Sequence, residues 1–187
     1  MSTVRAIVAA CAILGWVRPV QEVPIQALER TVRAKYLITV TDDFVVDVHL
    51  NGKAIPDSAR HLLDEQFGAT VERIDVPLRK GDWLVLNVVN DLMRWDGVSY
   101  FGLAGCFAEN EISLVSDPAN VSWSVCDDPT DVPDFIADPI FGSHRAFAVE
   151  HEWQDGTPLM KRYAGDTWNG KPLWGKTHNT WLKLRVE

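Results

Sequence analysis

TDDFVVDVHLNGK, residues 41–53, is the stretch on which the fold turns. It opens with two adjacent acids, Asp42 and Asp43, and closes with Asn51-Gly52-Lys53. Between them the side chains alternate. Phe44, Val46, Val48 and Leu50 fall on one face and Val45, Asp47 and His49 on the other, the pattern of a half-buried strand. Asn51-Gly52 supplies two residues that tolerate φ > 0, as a two-residue hairpin turn requires. The acid pair has two readings. It shapes a turn by hydrogen-bonding nearby backbone N–H groups, or it belongs to a ligand site.

Working outward, period-2 runs dominate. Tyr36, Ile38 and Val40 alternate with Leu37, Thr39 and Thr41. Strands are predicted over Thr70 to Leu78, Trp83 to Asn90, Ser99 to Phe107, Glu111 to Ser116, Val121 to Cys126, Arg145 to Glu150 and Asn179 to Glu187, the last with Leu182, Leu184 and Val186 inward. The spacing of His61, Leu62 and Glu65, with Asp57 or Ser58 as cap and Gly68 as stop, predicts a short helix over 57–68. Pro158 to Tyr163 is ambiguous, and the Asp- and Pro-rich segment 127–141 reads as irregular with one helical turn. Short strands without a βαβ rhythm predict an all-β antiparallel β-sandwich with one short helix, a single domain over residues 28–187.

These segments resemble the galactose-binding-like jelly-roll modules, ancillary domains of glycoside hydrolases. The resemblance rests on Thr41-Asp42-Asp43-Phe44 with Asn51-Gly52-Lys53, and on Leu78 to Leu84, where Asp82 and Trp83 depart from the pattern. It continues through Gly97 to Gly105, Ser116-Asp117 with Ser122-Trp123, and Leu173-Trp174-Gly175 with Thr180 to Leu184. It implies a jelly roll, a fold that serves carbohydrate binding, adhesion and plain scaffolding alike. In the related PA14-like adhesins an Asp pair at a similar position holds calcium. That likeness makes Asp42 and Asp43 candidate ligands for Ca²⁺, which needs six to eight oxygens in all. The turn reading is the stronger of the two.

Composition narrows the function classes. The chain has 187 residues, a net charge of −8 and 8 Trp. The acidic balance argues against binding a nucleic-acid backbone or an anionic lipid surface. Arg5 followed by the apolar run Ala6 to Val17 reads as a signal peptide over residues 1–27, too short for a membrane span, and predicts export. Cys106 and Cys126 then remain as an even pair. They are either a disulfide, in an oxidising compartment, or two buried thiols. Asn120-Val121-Ser122 is a glycosylation sequon.

No catalytic constellation stands out. Gly170 to Thr177 fits the phosphate-loop spacing, but the strand predicted after it leaves no helix to meet a phosphate. The acids Asp127, Asp128, Asp131, Asp134 and Asp138 lack EF-hand spacing. His144 with Glu150, His151 and Glu152 lacks zinc-protease spacing. The aromatic residues say more. Trp95, between Arg94 and Asp96, and Trp168, beside Asn169, sit in predicted loops, where an indole next to polar side chains suits a sugar. Trp83, Trp123, Trp174 and Trp181 read as core. The expectation is a secreted, non-catalytic carbohydrate-binding or adhesive module for a glycan or cell-surface polysaccharide. Its contacts would be Arg94, Trp95, Asp96, Trp168 and Asn169. The alternative is a self-associating extracellular scaffold, and less favoured is a small glycan-active hydrolase.

Overall fold

The computed structural model describes residues 32–66, 68–90, 99–141, 147–148 and 156–187. Two antiparallel sheets face each other. The strands are β1 (Val32–Ala34), β2 (Tyr36–Asp42), β3 (Phe44–Leu50), β4 (Lys53–Ala54), β5 (Arg60–Gln66), β6 (Ala69–Ile74), β7 (Leu78–Arg79), β8 (Trp83–Val89), β9 (Phe101–Ala108), β10 (Glu111–Val115), β11 (Trp123–Cys126), β12 (Phe147–Ala148), β13 (Leu173–Trp174) and β14 (Asn179–Arg185). The first sheet runs β12-β13-β9-β2-β6-β5, with β10 also on β9. The second runs β11-β14-β8-β3-β4, and β1 pairs with β7 apart from both. The all-β sandwich is as expected.

The inward side chains of both sheets form the main core, including Leu37, Ile74, Phe101 and Leu103 from the first and Val48, Leu86, Trp123 and Leu184 from the second. Each sheet also has a covered outer face. Helix α2 (Gly156–Ala164) lays Leu159, Met160 and Ala164 against Ile38, Val40, Val71 and Ala104 of the first sheet. Its apolar residues fall at i, i+1 and i+5, one stripe of a 3.6-residue period, with Lys161 and Arg162 in the last turn. Helix α1 (Val132–Ala137) sets Phe135 on Val85 and Cys126 of the second sheet. No helix among the described residues is long and apolar enough to cross a membrane.

Two expectations change, for one reason. The stretch predicted as a helix over 57–68 is a 3-10 turn, Asp57–Ala59, followed by strand β5. The pairing of β5 with β6 shifts between Leu62 and Asp64. This β-bulge puts Leu62, opposite Glu72, and Glu65, opposite Thr70, on one face. A bulged strand thus produces the i, i+3 spacing of a helix. In β3 a second bulge, between Val45 and Asp47, makes Val45 and Val48 the inward pair. Phe44 and Val46 stay exposed instead of sharing the buried face of Val48. Asn51 and Gly52 have φ of 53° and 76°, the left-handed pair expected for the turn to β4.

Candidate binding surfaces

The acid pair is a corner between the sheets. Asp42 ends β2, Phe44 begins β3, and Asp43 between them has φ of 60°, a conformation Asp adopts more readily than most residues. The Asp43 N–H donates to Gly68 O at 2.5 Å, and Asp43 O accepts the Thr70 hydroxyl at 2.5 Å. Asp42 Oδ2 accepts Asn90 Nδ2 at 2.5 Å. These bonds tie the β2–β3 corner to the β5–β6 turn and to the end of β8. No group of three or more His, Cys, Asp or Glu gathers in metal-holding geometry among the described residues.

Trp168 does not serve as an exposed stacking plate. It is 4% exposed, packs with Met160 and Ala164 under α2, and donates Nε1–H to Leu103 O at 3.2 Å. Its position after the helix stop at Gly165 folds the indole back onto the outer face of the first sheet. Asn169 beside it is exposed. Arg94, Trp95 and Asp96 lie outside the described residues, as does the segment 1–27 predicted to be a signal peptide. Cys106 and Cys126 are both free and buried. They point to the outer faces of different sheets, Cys106 under α2 and Cys126 under α1, so the core separates the two sulfurs.

The phosphate-loop spacing also has a structural explanation. Asp127 places its carboxylate in the turn after β13, where it accepts Lys176 N at 3.0 Å, Thr177 Oγ1 at 3.2 Å and Thr180 Oγ1 at 2.7 Å. The chain's own carboxylate sits where an anion would, and a Cβ on Gly175 would collide with it and with Thr180. In the sequon, exposed Asn120 accepts the Ser122 N–H on its own Oδ1 at 2.9 Å, while Ser122 is buried.

An aromatic and polar surface missed by the sequence reading lies on the outer face of the second sheet. Leu84, Leu86 and Val88 of β8 point into the core, so Val85, Asn87 and Val89 point out. Register places Asp47, Asn87 and Trp181 in one cross-strand row. Phe44, Val89 and Asn179 form the row on one side, and His49, Val85 and Lys183 the row on the other. Trp181 is partly exposed, with the rest of the ring packed against the cluster around Val85 and Phe135. His49 lies 6.0 Å from it, ring to ring, tilted by 44°. Against the pull of Asp47, burial holds the His49 imidazole below its ordinary range, which favours the neutral ring. Asn87 Nδ2 donates to Asn179 Oδ1 at 2.6 Å, which fixes both amides. The signal was available: alternation that points Leu182, Leu184 and Val186 inward points Trp181 and Lys183 outward.

A cleft of about 300 Å³ opens at the edge of the sandwich, lined by Phe44, Val45, Asp57, Arg60, Leu62, Thr70 and Glu72. Arg60 forms its floor. Nε and Nη2 grip Glu72 at 2.5 and 3.0 Å, and Nη1 and Nη2 donate to the carbonyls of Val46 and Val45 at 2.8 and 2.6 Å. These are the carbonyls of the β3 bulge, so one guanidinium fastens the first sheet to the irregular strand of the second. Both Glu72 oxygens are engaged by Arg60, which leaves the cleft without a pair of carboxylates set for acid–base chemistry. Comparison with protein-family models, characterised proteins and solved structures returns no match for this chain.

Proposed function

We propose that the protein is an exported, non-catalytic glycan-binding module whose ligand lies on the outer face of the second sheet. The observation that carries this is the row Asp47–Asn87–Trp181 with His49 and Asn179 at its sides. A partly exposed indole offers an apolar plate for a pyranose face, and the Asp47 carboxylate, the exposed Asn179 amide and the His49 imidazole around it supply acceptors and donors for hydroxyls, while buried Asn87 holds Asn179 in place. The signal-like segment over residues 1–27 and the jelly-roll resemblance support the reading, and the acidic chain suits an uncharged or cationic glycan better than a polyanion.

The test is a glycan-array screen of the full chain with and without EDTA, repeated with Trp181→Ala, Asp47→Ala and Trp95→Ala. Binding should fall roughly tenfold or more in Trp181→Ala, a loss of about 1.4 kcal/mol. It should also fall in Asp47→Ala, whose exposed side chain leaves folding intact. Loss confined to Trp95→Ala moves the site to the 94–96 loop, and EDTA sensitivity returns Asp42 and Asp43 to a calcium role. A folded protein that binds no glycan overturns the proposal. The scaffold reading has its own observation: Phe44, Val46, Leu62 and Leu63, large exposed apolar side chains, crowd the β3–β5 edge.

A further inference from the structure

We infer that β5 is a self-association edge, which pairs antiparallel with β5 of a second copy of this chain. Among the described residues β5 pairs with β6 alone, so the other side of this seven-residue strand faces no strand, and the Glu65 N–H turns to the Asp64 carboxylate at 2.9 Å. Such an edge is usually shortened, covered, bulged or guarded by charge, and β5 has its bulge but no charge at the centre. Here the centre is Leu62 and Leu63, exposed by 64% and 39%, with Phe44 and Val46 of β3 exposed by 48% each nearby. Of the six large apolar side chains exposed among the described residues, four are at this edge.

The strand is also complementary to itself. Its sequence, Arg60-His61-Leu62-Leu63-Asp64-Glu65-Gln66, is basic in the first half and acidic in the second. A two-fold axis through the sheet between Leu62 and Leu63 sets Leu62 against the second copy's Leu63, His61 against its Asp64 and Arg60 against its Glu65. No like charges meet, the condition for a self-matching contact. The faces agree as well. The bulge puts Arg60, Leu62 and Glu65 on the inner face and His61 and Asp64 on the outer, so the Arg60–Glu65 and His61–Asp64 cross-pairs each lie on one side of the joined sheet. Arg60 and His61 already touch Glu72 and Asp75 within the chain. Asp64 is likewise engaged, accepting the Tyr163 hydroxyl and Gln66 Nε2 at 2.8 and 2.7 Å, so the charges fix the register while the apolar centre with the backbone ladder supplies the attraction. The register closes after two copies and leaves no further β5 edge to propagate. This inference is independent of the glycan reading.

The test is sedimentation equilibrium of the full chain from micromolar to millimolar concentration. Hydrogen exchange is measured at both ends of that range. The weight-average mass should rise from 21.0 kDa toward twice that value, with amide protection over 60–66 rising in step. Leu62→Lys and Glu65→Lys should return the chain to monomer with unchanged circular dichroism, since both side chains are exposed. A chain that stays monomeric throughout overturns the proposal. So does a dimer that survives Leu62→Lys and shows no concentration-dependent protection over 60–66, because its interface would lie elsewhere.

Discussion

Asn51 shows how much one residue contributes at a corner. It holds φ of 53°, its Nδ2 donates to Asp82 Oδ1 at 2.8 Å, and its Oδ1 accepts the Trp83 N–H at 3.0 Å. Asn is suited to both tasks, since it tolerates the left-handed region and carries a donor and an acceptor on a short stem. Asn51→Ala should destabilise the protein by about 1–2 kcal/mol. Asn51→Gly should restore the backbone component and leave the hydrogen-bond loss. Urea midpoints of the three proteins separate the two. Asp43 is a comparable corner, and its turn role was legible from the sequence. The destination of the Asp42 carboxylate was not, because Asn90 is 48 residues away.

At the scale of elements, α1 and the turn after it cover the second sheet through a buried charge. Lys183 is fully buried, sits 4.0 Å above the Phe135 ring, and donates to the carbonyls of Asp138 and Phe141 at 2.6 and 2.8 Å. Burial pushes its ammonium down to about 8 from 10.5, against the pull of Asp138. Between those values the unfolded chain keeps a proton that the folded chain has released, so this group makes stability rise with pH through that window. Cys and Tyr groups titrate there too, so the wild type must be compared with Lys183→Met. The stability of wild type relative to Lys183→Met should increase as pH rises above 8, by at most about 1.4 kcal/mol per pH unit. Urea midpoints at pH 7, 8, 9 and 10 check this, and a difference independent of pH refutes it. Alternation marks Lys183 as outward-facing. That it is buried depends on a segment more than forty residues earlier in the chain.

The whole molecule is held at its open edge by Arg60. One guanidinium joins β5 and β6 of the first sheet to the bulged β3 of the second. Glu72 is 9% exposed, so removing its partner strands a carboxylate away from water. Arg60→Met should cost about 3–5 kcal/mol, and the double variant Arg60→Met/Glu72→Leu should recover most of it, because the penalty lies in the unpaired charge. Equilibrium urea unfolding of the two variants is the measurement.

By itself the sequence determined the sandwich: the alternation of β2 and β14, the apolar run of β8, the glycine-bearing strand β9, the Asn51-Gly52 turn, and the inward set Leu182, Leu184 and Val186. Those depend on period-2 patterning and on turn chemistry, which are local. Tertiary structure decided the faces. The bulges at Val46 and Leu63 arise from pairing with partner strands. Each reverses the alternation midway, which hides β5 behind a helical spacing and exposes Phe44 and Val46. Packing likewise buried Trp168 under α2 and left Trp181 partly open beside Asp47 and His49. Burial of an indole is set by what the chain folds against it, and no local pattern of residues carries that information.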